Sequence, residues 1–364
     1  MEGLRKSVVI TVSNDLVTDQ RMFRVATRLV NLGYNVELIG RQLPESISLN
    51  KAQFTQTRQT LRWRRGPLFY LELNIRIILK LWRSDYDIHY AVDADTALAA
   101  LILKRFKSVK LIYDAHELFP EVPELVNKPF VKHVWSWLDE RIIKKADVRI
   151  TVSESIANYY KSRYGKDFLV IRNLPDAAVE QDKTVFDGPF VLYQGALNTG
   201  RGLECLIEAA KSLKPMVVIA GEGDLSTTLR DRVLQLNLAE KVIFTGKLHP
   251  ENLKSLTSKA WLGYNLLENT GLSYYYSLSN KTFDYIQAGV PQLMVEFPEY
   301  VALNQQYNIG VFCELSINAI VKTINDLAEN PELYNTLKQN CVEASKQLTW
   351  EQECKVLDTA FKGL

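Results

Sequence analysis

The sequence predicts two doubly wound α/β domains in one chain, and three observations carry that prediction. The 364 residues are too many for one ordinary core and suit two of roughly 150–180 residues each. Short β-branched runs alternate with amphipathic segments, the pattern of parallel sheets covered by helices on both faces. The alternation breaks in a polar stretch between Asn173-Leu174-Pro175 and Gly188-Pro189, the expected linker, and then restarts. The expected domains are 1–174 and 185–349, with the functional crevice at the carboxyl ends of their strands, between the two lobes.

In the first half, Ser7–Val12 reads as a strand, Met22–Leu32 as a helix closed by Gly33, and Asn35–Ile39 as a strand. A helix over Leu68–Arg83, a strand Ile88–Val92, a helix Thr96–Lys104 and a strand Val109–Tyr113 follow. A long helix Pro129–Lys145, a strand Val148–Val152 and a helix Glu154–Tyr164 complete the series, with Ser153 as N-cap and Gly165 as stop. The second half restarts with strand Phe190–Tyr193, helix Leu203–Leu213, strand Met216–Ala220, helix Leu225–Leu236 and strand Val242–Phe244. Strand Leu262–Asn265, a helix opened by Asn280, and three helical segments (Ile317–Ala328, Pro331–Gln347, Trp350–Phe361) end the chain.

An apolar fraction of 47% and a charged fraction of 24% are those of a soluble globular protein. The four cysteines show no metal-like spacing and read as buried thiols of a reducing compartment. Only seven apolar or small residues follow the basic N-terminus, so a first strand is expected there rather than a signal peptide. No run of about 18 uncharged apolar residues exists to span a membrane. Residues 1–174 hold 28 Lys and Arg against 19 Asp and Glu, a net +9; the remainder holds 16 against 23, a net −7. Arg58, Arg62, Arg64, Arg65, Arg76, Lys80 and Arg83 cluster around Trp63, Phe69, Tyr70 and Trp82. That mixture suits either an anionic lipid surface or a solvated helix face with a few core aromatics; nucleic acid is the poorer fit.

Two stretches carry the chemistry. In Tyr193-Gln194-Gly195-Ala196-Leu197-Asn198-Thr199-Gly200-Arg201-Gly202-Leu203 and in Ser277-Leu278-Ser279-Asn280-Lys281-Thr282-Phe283-Asp284, an irregular loop with a cation leads into a helix. Backbone N–H groups, the helix dipole and Arg201 or Lys281 then converge on a point that suits a phosphate. Asp284 is a carboxylate that a phosphate site does not need, but an ionised Asp accepts two hydrogen bonds from a diol. Phosphate plus diol means a nucleotide, although either stretch alone reads more simply as an ordinary loop–helix junction. In the first half, Asp114-Ala115-His116-Glu117 ends a strand, and His116 is the best placed of four histidines; alone it would read as a locally bonded loop residue. His89 reads as core. Asp93-Ala94-Asp95 has a spacing that could hold a divalent cation, and the simpler expectation is that Asp95 caps the following helix.

Gly195 through Leu203, Ala220 through Asp224, Val242 through Leu248 and Phe283 through Pro291, in that order, resemble the donor domain of retaining glycosyltransferases of family 4, which have the GT-B fold. Asp114 through Glu117 and Asn14-Asp15 through Arg21 resemble acceptor-domain loops of that family, and Trp350-Glu351 resembles the start of the helix, 350–364, that crosses back to the first domain. The likeness covers nearly the whole chain. It implies two Rossmann-like domains facing across a cleft. It also implies a cytoplasmic hexosyltransferase of polysaccharide biosynthesis that moves a sugar from a UDP- or GDP-sugar to a glycan or lipid-linked acceptor. Configuration would be retained, with no cofactor, metal or nucleic acid involved. By position, His116 matches the family's donor-sugar histidine, Arg201 its diphosphate-binding lysine and Asp284 its ribose-binding acid. Gly195, Glu222, Leu278, Ser279, Asn280 and Lys281 belong to the loops that would hold the nucleotide sugar, and Gly246, Lys247 and Leu248 lie near its base. Asp15, Arg21 and Glu117 fall on the acceptor side. Ala196 stands where the family usually has Arg, and Tyr276 where it has the first of two paired acids; Ser13-Asn14-Asp15-Leu16 replaces its first Gly-rich loop. A binding module that holds a nucleotide sugar without turnover, or an epimerase of the same architecture, are the other readings.

Overall fold

The computed structural model describes residues 5–17, 19–44, 46–49, 51–125, 127–176 and 188–364. Residues 177–187, which include most of the predicted linker and the expected start of the second domain, lie outside the described residues, as do residues 1–4. The chain divides into two units, Met1–Asn173 with Cys354–Leu364, and Leu174–Glu353.

In the first unit, strands β1 (Ser7–Asp15), β2 (Asn35–Gln42), β3 (Thr55–Thr60), β4 (Ile88–Val92), β5 (Lys110–Ala115), β6 (Val148–Thr151) and β7 (Leu169–Val170) form one sheet in the order β3-β2-β1-β4-β5-β6-β7. Every pairing is parallel. The apolar runs explain this, since Ile10, Leu38, Tyr90 and Ile112 are fully buried, as a sheet covered on both faces requires. Helices α1 (Gln20–Asn31), α2 (Pro67–Leu81), α3 (Ala97–Phe106), α4 (Pro129–Lys145) and α5 (Glu154–Tyr164) supply the cover. Ser153 caps α5 by accepting from Ile156 N, and Gly165 ends it in the left-handed region, as the sequence suggests. Strand order reverses between β1 and β4, which makes the carboxyl ends of those two strands the place for a ligand.

The second unit repeats the plan. Its strands β8 (Phe190–Gln194), β9 (Met216–Ala220), β10 (Val242–Gly246), β11 (Leu262–Asn265), β12 (Gln292–Met294) and β13 (Gly310–Phe312) run in the order β10-β9-β8-β11-β12-β13. Helices α6 (Leu203–Ala209), α7 (Ser226–Gln235), α8 (Pro250–Thr257), α9 (Leu272–Tyr275), α10 (Asn280–Gln287), α11 (Pro298–Tyr307), α12 (Ile317–Ala328) and α13 (Pro331–Gln347) surround that sheet. Here the order reverses between β8 and β11, beside Gly195. The final helix α14 (Trp350–Lys362) begins in the second unit and ends in the first. Its last turns are tied there by an Arg28–Asp358 ion pair, with Nε to Oδ1 at 2.7 Å, and by the Phe361 ring 5.3 Å from that of Tyr34.

The sequence reading missed β3, β7, β12, β13, α8, α9 and α11. It also misplaced Asp95. That residue lies inside a 3₁₀ turn, Ala94–Thr96, and caps nothing; Thr96, the N-cap of α3, has no side-chain cap bond either.

Candidate functional site

Three glycines shape the carboxyl edge of the second sheet. Gly195, Gly221 and Gly246 follow or end β8, β9 and β10 with φ of 134°, 143° and 69°, values that glycine alone adopts freely. Gly195 N donates to Ala220 O at 3.0 Å and Gly221 N to Gly246 O at 2.9 Å, so the ladder continues past the strand ends. A Cβ on Gly221 would lie 1.9 Å from Gly195 O. Backbones therefore approach closely at this edge of the sheet.

Two cations meet beside this edge. Lys281, in the first turn of α10, is 7% exposed and lays its Nζ 4.2 Å from the centroid of the Tyr193 ring. Arg201 sits over the Tyr274 ring at 4.8 Å, and its buried Nε has no hydrogen-bond partner. Among the described residues neither cation takes part in an ion pair. Burial, reinforced by the neighbouring guanidinium of Arg201, pulls the Lys281 ammonium well below its usual value. Two like charges held together in a poorly solvated place call for an anion.

Asp284, one turn further along α10, is half-buried and accepts from Gln194 Nε2 at 2.9 Å. Gln194 is oriented in turn by Thr257, whose hydroxyl donates to Gln194 Oε1 at 2.7 Å. The start of α10 is fixed from below by a buried polar network. Ser279 N–H donates to Tyr300 Oη at 3.2 Å, Ser279 Oγ donates to Asn265 Oδ1 at 2.9 Å, and Asn265 Nδ2 donates to Thr282 Oγ1 at 2.7 Å. The Ser279 amide, expected from the sequence to meet a diphosphate, is thus engaged by Tyr300. Leu278 packs against the core, and Asn280 is exposed. Glu222 is exposed and pairs with Arg230 at 2.6 Å; Lys247 is exposed beside it in sequence to half-buried Leu248.

In the first unit, the carboxyl ends of β4 and β5 gather an acid–base cluster. Asp114 is fully buried and meets the Arg21 guanidinium at 3.1 and 3.2 Å from Nη2, and the Tyr90 hydroxyl at 2.7 Å. Burial opposes its charge, but Arg21 and His116 outweigh that and hold it well below the usual carboxylate range. His116 Nε2 lies 3.1 Å from Asp114 Oδ2, and its Nδ1 lies 3.8 Å from Asp93 Oδ2. Burial favours the neutral imidazole, yet the two carboxylates prevail and raise His116 to about 9. That shift favours the imidazolium, with Nε2–H toward Asp114, whereas accepting from Arg21 Nε, 3.0 Å away, requires the neutral ring. Its side chain remains 21% exposed.

The other acceptor-side expectations meet a different fate. Arg21 is 4% exposed, with Nη1 spent on Ile171 O at 2.7 Å, so it builds the loop rather than offering itself to a ligand. Asp15 is buried, faces Arg58 at 3.4 Å and accepts from the Ser46 hydroxyl. Arg58 and Phe69 are consequently interior groups, not part of a basic surface. Glu117 is half-buried. His89 is core, as expected, with burial lowering it to about 3. Gln194, Asn265 and Tyr300 were not singled out by sequence, because amides and a tyrosine carry no spacing signal; Asp93, whose spacing to Asp95 suggested a cation, instead accepts from the His116 backbone N–H and faces its ring.

The model of Glycosyltransferase Family 4 matches residues 19–178, and that of Glycosyl transferases group 1 matches residues 178–343. The chain belongs to this glycosyltransferase family. Among similar proteins, the O-antigen chain mannosyltransferase C of Escherichia coli is 27% identical over 191 residues, covering 44% of this chain and 51% of that one. The chain thus spans about half the length of that relative. Chitobiosyldiphosphodolichol beta-mannosyltransferase of Debaryomyces hansenii is 27% identical over 420 residues, covering 97% of this chain and 86% of that one. Sucrose-phosphate synthase of Thermosynechococcus elongatus superposes with a TM-score of 0.77 at 16% identity, covering 99% of each chain. HepE of Anabaena, solved with UDP-glucose, gives 0.74 at 15% identity and covers 98% of this chain and 100% of that one. Such likenesses establish the GT-B fold for this glycosyltransferase.

Proposed function

We propose that this protein transfers a hexose from a UDP- or GDP-sugar to a glycan or lipid-linked acceptor, with retention of configuration and without a metal ion. The observation that carries this reading is the pair Arg201 and Lys281, which among the described residues have no acid partner, with Lys281 one helical turn before Asp284 on α10. Their charge suits a diphosphate, and Asp284 suits a ribose diol. Negative charge on the diphosphate grows as the bond to the sugar breaks, so cations placed there favour the transition state over the ground state. HepE, of the same fold, is known in complex with UDP-glucose, which supports a nucleotide-sugar donor here. His116, an imidazolium with an exposed edge, would meet the sugar. Attachment to the cytoplasmic face of an anionic membrane completes the reading, through the basic and aromatic stretch that ends at Arg83.

The deciding experiment incubates the protein with UDP- and GDP-hexoses and lipid-linked or glycan acceptors, in EDTA, and follows the product's anomeric configuration by NMR. Transfer with retention in EDTA supports the proposal. Strict dependence on a divalent cation would sink the metal-free mechanism, and epimerised donor without transfer would favour an epimerase. Binding of nucleotide sugars with no turnover on any acceptor would make the protein a binding module.

A further inference from the structure

We propose that Asp93 is the positioning residue of the first unit's site: its carboxylate clamps the His116 loop, and the backbone is held in a disfavoured conformation so that it can. Asp93 stands at the carboxyl end of β4, beside the reversal of strand order, with φ 54° and ψ 171°. Among the described residues the other non-glycine positions with positive φ are Asn237 and Asn308. Asn308 ends α11 in the ordinary left-handed region, which asparagine tolerates. Asp93 has an extended ψ, a combination used almost solely by glycine. Such strain persists only where the surroundings enforce it, and it concentrates at functional sites.

What enforces it is visible. Asp93 N–H donates to Asp114 O at 2.9 Å, extending the β4–β5 ladder by one bond. In that position Oδ1 accepts the His116 backbone N–H at 2.8 Å, and Oδ2 faces the ring at 3.8 Å. A glycine would satisfy the backbone without strain and would remove a carboxylate that burial pushes up to about 7. It would also leave the His116 amide and the Nδ1 side of the ring without their acid. Arg21 from α1, Tyr90 from β4, Asp95 after it, and Asp114 and Glu117 at the end of β5 are the other charged or titratable groups around this pair. Asp93 and Asp114 present carboxylates to the His116 ring nitrogens, at 3.8 and 3.1 Å.

The consequence is an opposition between stability and turnover. It rests on the reading that His116 serves sugar transfer, and the test separates the two. Asp93→Gly and Asp93→Asn in the full chain are compared with the parent for melting temperature, for kcat and donor KM, and for the His116 Cε1–H titration by NMR, assigned with His116→Gln. Asp93→Gly is expected to melt higher than the parent while kcat falls roughly 10- to 100-fold with donor KM little changed. Asp93→Asn keeps an acceptor for the His116 amide, so its melting point should stay near the parent's. In both, the His116 midpoint should drop by about 1 unit or more from loss of a nearby charge, and the alkaline limb of kcat should move down with it. An unmoved His116 titration, or Asp93→Gly losing stability and activity together, would overturn the proposal. A shifted titration in a protein whose parent turns over no nucleotide sugar would instead refute the transferase reading and leave the clamp standing.

Discussion

Asp284 and Lys281 make separable demands on a ligand. Asp284 is held by Gln194, itself oriented by Thr257, and on the proposed function its replacement by alanine removes a charged hydrogen bond to a ribose. Calorimetry with free UDP or GDP should show a loss of about 1.5–3 kcal/mol; unchanged affinity would reduce Asp284 to a helix-end charge. Lys281 behaves differently because its burial is unfavourable until an anion arrives. In the empty protein its pKa is lowered, so the unfolded chain binds that proton more tightly, and stability rises as pH climbs through the lowered value toward 10.5. A bound diphosphate raises the pKa again. Nucleotide binding above the lowered value should therefore take up a proton, and affinity should fall as pH rises through that window. Titration calorimetry in buffers of different ionisation enthalpy reads the uptake directly. Lys281→Met should abolish the uptake, weaken diphosphate binding and stabilise the empty protein; equal uptake in that variant would assign the proton elsewhere. His116 contributes in the opposite sense, since its raised pKa gives stability that is complete below about 6.5 and lost as pH rises through about 9.

At the level of elements, the glycines after β8 and β9 decide whether the carboxyl edge of the second sheet can form. Gly221→Ala places a methyl 1.9 Å from Gly195 O at a φ of +143°, combining backbone strain with a steric clash. Denaturant unfolding should record a loss of roughly 2–5 kcal/mol, whereas Gly165→Ala, with open space around it, should suffer from backbone strain alone. The same edge explains what sequence could convey. Strands such as Ile88–Val92 and Met216–Ala220, and helices α4 and α5, were legible to the residue because their apolar runs, Ser153 and Gly165 are strong local signals. β3 was not, since Thr-Gln-Thr-Arg-Gln-Thr is a polar edge strand with one neighbour. Three residues each in β12 and β13 are too few for any period. Loop–helix spacing was enough to single out Arg201, Lys281 and Asp284, which the fold brings close together. Arg21 and Asp15 could not be judged, because their use as interior partners depends on residues 93 and 43 positions away.

Across the molecule, the charge asymmetry acquires a surface in the first unit. On α2 the residues Leu68, Leu71, Ile75 and Leu79 are 48%, 49%, 45% and 71% exposed, and Trp82 just beyond is 47% exposed. Their spacing of three and four residues puts them on one helical face. Phe106, 68% exposed, packs its ring 5.5 Å from that of Trp82. Phe130, Val134 and Trp137 form a second exposed stripe on α4. Arg62, Arg64 and Arg65 just before α2 and Arg83 just after it are exposed, while Arg58 is removed from the set by its pairing with Asp15. No helix among the described residues is long and apolar enough to cross a membrane. An exposed apolar helix face with exposed cations at both of its ends in sequence suits the interface of an anionic bilayer, where apolar burial and headgroup attraction add. The protein should co-sediment with vesicles containing anionic lipid and not with neutral ones. Binding should weaken as salt rises, because the Debye length shrinks from about 10 Å at 0.1 M to 3 Å at 1 M. Replacing Arg62, Arg64 and Arg65 with Gln should steepen the loss at physiological salt, and Leu71→Ser with Leu79→Ser should weaken binding even at low salt. Both variants should bind UDP or GDP like the parent, since these residues lie in the first unit and Arg201, Lys281 and Asp284 in the second. Failure of the parent protein to co-sediment at low salt would remove the membrane from the proposed function and make a soluble glycan the better acceptor.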